Sequence, residues 1–107
     1  MTGCNSFERT LTELKIARAY VRLSSIPGRG PEASVLLATI GSCEIHMFRG
    51  PAVHPDGAPL FWLELFDHTK ISVDGFVCHT IKDAVPIFDD LISQANALNE
   101  PSGRDDQ

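Results

Sequence analysis

The chain has 107 residues, 43% of them hydrophobic and 21% charged, which suffices for one domain with an apolar core and no disulfide staple. Its formal net charge of −5 argues against general nucleic-acid binding, and no apolar run approaches the length of a membrane span. Cys4, Cys43 and Cys78 are widely spaced and form no CxxC or Cys/His pair, so reduced thiols in a cytoplasmic protein are expected rather than a zinc site.

The charge is unevenly placed. Residues 1–50 hold six Lys/Arg against four Asp/Glu, and residues 51–107 hold three against ten. No apolar leader opens the chain. Residues 1–6 read as loose, and residues 7–23 as a helix rich in good helix formers. That helix carries two apolar stripes. Phe7, Leu11, Leu14, Ala17 and Val21 make one, and Ile16, Ala19, Tyr20 and Leu23 the other. A helix lying on its own core needs one stripe. Two stripes suggest contact on two sides, with the protein's own sheet and with a partner chain. Lys15, Arg18 and Arg22 border the first stripe and read as a solvated face, with an anion or an acidic partner as the alternative. An alternating strand over residues 14–23 is the competing reading.

Residues 24–31 form a Pro/Gly loop. Ser34–Ile40 and residues 43–49 then read as strands joined by Gly41-Ser42, a connection that suits a type II′ hairpin. A short helix over residues 31–40, capped by Gly41, is the alternative. A regular ladder pairs Ile40 with Cys43, Ala38 with Ile45 and Leu36 with Met47 on one apolar face. The other face pairs Thr39 with Glu44, Leu37 with His46 and Val35 with Phe48. Residues 50–58 read as a loop.

Residues 60–66, LFWLELF, define the central strand. The run has the length of a strand, and it is apolar on both sides. Phe61, Leu63 and Leu65 share a purely apolar face; Trp62, Glu64 and Phe66 share a mixed one. Residues 70–80 are extended, with Asp74-Gly75 as either a tight turn or a bulge. Ile81–Leu98 is the clearest helix, with one continuous stripe from Ile81 to Leu98. Asp83 is the expected N-cap, because Pro86 then falls in the first turn. This helix is expected on the pure apolar face. Residues 1–98 thus form one domain, and residues 99–107 a disordered tail.

The expected fold is α+β: an antiparallel sheet of about four strands, a C-terminal helix on one face, and an N-terminal helix. No catalytic constellation is present. His46, His54, His68 and His79 show no metal-ligand spacing, and Cys78 and His79 point to opposite faces of an extended segment. No cofactor or metal is expected. The mixed face is the candidate interface, with Val35, Leu37, His46, Phe48, Trp62, Glu64 and Phe66, together with Tyr20 on the first helix. The reading is a non-enzymatic interaction or regulatory module that self-associates as a homodimer, with no nucleic acid or membrane partner. The alternative is a small-molecule pocket or minor enzyme built around His46, Trp62 and Glu64.

Overall fold

The computed structural model describes residues 2–27, 33–53 and 59–99. The expected tail beyond Asn99, His54 and parts of the two expected Pro/Gly loops lie outside them. The elements are α1 (Thr2–Ser24), β1 (Ser34–Ile40), β2 (Cys43–Val53), β3 (Pro59–Phe66), β4 (Ser72–Cys78) and α2 (Ile81–Leu98). The strands form one antiparallel sheet in the order β1-β2-β3-β4, so the architecture is α+β. β3, the strand apolar on both sides, lies inside the sheet between β2 and β4.

α1 starts at Thr2, ahead of the expected entry at residue 7. Gly3 costs such a helix about 1 kcal/mol, but no proline interrupts it. β2 likewise runs on to Val53, past the expected loop start at Gly50, with a register shift between Arg49 and Val53.

The turn at Gly41-Ser42 is a hairpin. Gly41 has φ +61°, and Ser42 is not in the left-handed region, as a type II′ turn requires. Gly41 is needed for a second reason. A Cβ there would lie 2.5 Å from the Asn99 side chain. Asn99 was expected to open a disordered tail; instead it closes α2 onto this turn. Its Nδ2 donates to Ile40 O at 2.6 Å and Ala95 O at 2.9 Å, and its Oδ1 accepts from the Ser42 amide at 3.3 Å.

The β1–β2 ladder holds the expected pairs Ile40–Cys43, Thr39–Glu44 and Ala38–Ile45, then slips. A bulge inserts Leu37, so that Leu36 pairs with His46, Val35 with Met47 and Ser34 with Phe48. A one-residue slip moves side chains to the opposite face. Val35 and Leu37 therefore leave the mixed face and are buried, while Leu36 takes their place there, 47% exposed. The physical reason is volume. The bulge delivers two branched side chains to the core where the regular ladder delivers only Leu36.

Both helices lie on the same side of the sheet. Phe61, Leu63 and Leu65 of β3 are buried with Ile45 and Met47 of β2, beneath Ala84, Phe88 and Leu91 of α2. α1 packs beside α2 and over β1 and β2. Of its two stripes, the core takes Ile16, Ala19 and Leu23, with Tyr20 partly buried against Phe61 at a ring separation of 5.3 Å. Tyr20 therefore faces the core rather than a partner. From the other stripe, Leu11, Leu14 and Val21 are exposed, Val21 to 68%. Arg49 of β2 donates from its guanidinium to Leu23 O, satisfying a carbonyl at the end of α1.

α2 begins one turn earlier than the Asp83 cap would allow. Thr80 is the N-cap, with φ −138° and ψ 162°, and its hydroxyl accepts from the Asp83 amide at 3.0 Å. Pro86 consequently lies inside the helix. A proline there costs about 3 kcal/mol or more. The Thr80 cap returns about 1 kcal/mol, and the added turn brings Ile81 against the core.

The bulge makes a direct prediction. Leu37→Ala should cost about 2–5 kcal/mol in urea unfolding. Leu36→Ala should stay within about 1 kcal/mol. A regular ladder would reverse the two.

Candidate functional site

The face opposite the helices carries an aromatic cluster built by β2 and β3. Phe48 pairs with Trp62 across the ladder, and their rings stack at 5.2 Å with an interplanar angle of 17°. Phe66 meets His46 edge-on at 5.5 Å and Phe48 at 6.1 Å. Such contacts add about 0.5–1.5 kcal/mol each beyond area burial. Phe48 is only 7% exposed although no described element covers this face. Its neighbours seal it.

Of the residues expected here, His46, Phe48, Trp62, Glu64 and Phe66 are brought together, whereas Val35, Leu37 and Tyr20 are not. Leu36 and Val77 take part unannounced. Leu36 arrives through the bulge. Val77 pairs with Trp62 and is 58% exposed. The β3–β4 ladder also bulges, at Val73, so β4 is one bent strand with Gly75 opposite Glu64. A Cβ at position 75 would lie 3.3 Å from Glu64 Cγ, so glycine makes room for the glutamate stem.

The polar groups of this face are already partnered. The Trp62 indole N–H donates to Glu64 Oε1 at 3.0 Å. His46 Nε2 lies 2.9 Å from Glu44 Oε1, and Lys70 Nζ lies 3.5 Å from Glu44 Oε2. The His46 hydrogen bond, and then the Lys70 charge, hold the Glu44 carboxyl below its ordinary value. Glu44 is thus ionised and can only accept, so His46 Nε2 carries the donated proton. Lys70 reaches Glu44 from a left-handed backbone, φ 68°, in the turn after β3. Asp67 holds that turn. Its Oδ1 accepts from Thr69 Oγ1 at 2.6 Å and from the amides of Thr69 and Ile71, which lowers its own carboxyl.

His46 and Glu64 are direct partners in the ladder. Each is committed elsewhere, His46 to Glu44 and Glu64 to Trp62. A shallow depression of about 340 Å³ lies beside Trp62, Glu64, Gly75 and Val77, and His46 does not line it. The arrangement brings no nucleophile and base together. Cys78 is buried on the helix side, where desolvation first and Asp83 second push its thiol up to about 12. Among the described residues no three His, Cys, Asp or Glu side chains gather as metal ligands, and no helix is long and apolar enough to cross a membrane.

The described residues therefore make a small α+β fold with one sheet face covered by helices and one that no described element covers. No family model, curated protein or solved structure matches the chain.

Two measurements test this geometry. Glu44 is lowered in the folded protein, so its contribution to stability is fully present above its ordinary value of 4.5 and is lost as pH falls through the lowered one. Glu44→Gln should flatten that acid limb in pH-dependent unfolding. Separately, Cys78 should resist iodoacetamide at about pH 8 in the native protein and react once unfolded.

Proposed function

We propose that this protein is a non-enzymatic interaction module that self-associates through its open sheet face. The observation that carries the reading is the aromatic cluster of Phe48, Trp62 and Phe66 on a face that no described element covers. Exposed apolar surface of this kind marks interaction sites. Tryptophan and other aromatics are the favoured anchors.

A second copy suits this face better than a partner of strong charge. Glu44 is flanked by His46 and Lys70, so both signs are interspersed and an isologous contact meets no uniform repulsion. Two such sheets pack face to face at about −30°, with side chains interdigitating. Four strands about 4.8 Å apart, six residues long, make a face roughly 20 Å square. That is about 800 Å² over both partners, below stable interfaces and in the range of weak, transient ones. The expected dimer dissociates in the micromolar range, with Kd about 1–100 μM.

Trp62 is the sole tryptophan, so its fluorescence reports on the interface directly. Sedimentation should show dimer giving way to monomer on dilution, with a parallel change in Trp62 emission. Val77→Glu places a charge at the exposed rim and should yield a folded monomer. A wild-type protein that remains monomeric at about 1 mM would end the proposal.

A further inference from the structure

Beside the open face, sharing Leu36 with it, runs a groove along the sheet's edge. It has a volume of about 300 Å³ and lies between α1 and β1. Leu11 and Leu14 line it from the helix, and Val35, Leu36 and Leu37 from the strand. Leu36 belongs to the open face, and Val35 and Leu37 to the covered one. A groove touching both sets follows the edge of the sheet itself.

That edge has free hydrogen-bonding capacity. β1 is the terminal strand, paired only with β2 among the described residues. The Arg49 amide donates to Ala33 O at 3.2 Å, which makes Ala33–Arg49 a hydrogen-bonded pair. Bonded and non-bonded pairs alternate along an antiparallel ladder. Ser34, opposite Phe48, and Leu36, opposite His46, are then the non-bonded positions, and their N–H and C=O groups point away from β2. Among the described residues, a single bulge is the protection this edge carries. Its sequence, SVLLATI, has no charge and no proline, and its bulge interrupts it only at Leu37.

The charges stand on the helix instead. Lys15, Arg18 and Arg22 line the same groove. All three are exposed, and among the described residues none has a carboxylate partner. We infer that β1 accepts an extended acidic peptide segment as an added strand, its backbone paired with Ser34 and Leu36 and its carboxylates facing Lys15, Arg18 and Arg22. Strand addition draws affinity from the main chain and specificity from flanking side chains. A second copy is disfavoured here, because β1-to-β1 pairing would bring two such cationic rows to one interface. Leu36 lies on the open face as well, so the Arg18 and Arg22 substitutions and the N-methylated peptide, which leave the aromatic cluster unaltered, separate this inference from the dimer.

The test uses the full chain and a blocked peptide of about eight residues, the length of an ordinary strand, alternating valine with aspartate or glutamate. Two controls accompany it, one with lysine replacing the acids and one N-methylated at every second amide. Binding is followed by amide chemical shifts. The acidic peptide should bind, shift the Ser34 and Leu36 amides, and weaken as salt rises. Arg18→Glu with Arg22→Glu should weaken it about 10-fold or more. Leu36→Pro removes an outward donor without touching the β1–β2 ladder and should also weaken it. The N-methylated peptide repeats that test on the unaltered protein. No binding at about 1 mM overturns the inference. So does equal binding of the N-methylated peptide, which would mean attraction without strand addition. So do β1 shifts that depend on protein concentration alone, which would make a second copy the occupant.

Discussion

The apolar face of the sheet is covered by α1 over β1 and β2 and by α2 across β2, β3 and β4, and the width of that cover governs the rest of the molecule. Four strands about 4.8 Å apart span nearly 20 Å. One helix is about 10 Å across, so α2 alone would leave half of the apolar face in water. The α1 backbone lies alongside α2 and over β1 and β2, while α2 also reaches β3 and β4. Two helices about 8–10 Å apart match the sheet's width. The consequence is a shortage. Once both helices are spent on one side, the described chain has no third layer for the other.

That outcome explains which parts of the fold were legible in the sequence. Period-2 alternation in β3 and the single stripe of α2 are strong local signals, and both faces of β3 were read correctly from them. The Gly41-Ser42 turn was legible because a glycine opening a two-residue connection adopts the positive φ of a type II′ turn without strain; the Asn99 side chain above it was not. The Leu37 bulge was not legible. It contains no glycine, and Val35, Leu36 and Leu37 are similar enough in polarity that either register looks acceptable. The side taken by α1 was hidden for a related reason. Its two stripes are comparably apolar, and only the geometry of the sheet chooses the one containing Ile16 and Leu23. The Thr80 cap was missed because the local cost of Pro86 was weighed without the tertiary gain of Ile81.

The open face is only half a core. Its rings pack on one another tightly enough to bury Phe48, and every polar group among them has a partner. Trp62 satisfies its N–H through Glu64, which in turn relies on the missing side chain at Gly75. Such a surface is ordered before any partner arrives, so association freezes few side chains and loses little affinity to entropy.

The two surfaces left by this architecture differ in what they admit. On the open face the charges are mixed and lie among the aromatics, which places no penalty on a like copy. Along β1 the strand itself is neutral and the charge is displaced onto α1, where Lys15, Arg18 and Arg22 form a row of one sign. A bare neutral edge would pair with any exposed strand, including its own copy. A cationic row beside it changes that choice without altering the edge. Each exposed charge pair contributes about 0–1 kcal/mol, comparable with the net contribution of one main-chain hydrogen bond, so three cations of one sign act together. The helix therefore does for β1 what edge lysines do in other sheets, with one difference. Lysines on a strand repel cationic partners and occupy the strand's own faces. Cations held above the edge leave its backbone and its apolar side chains available, and they discriminate only by the sign of what approaches.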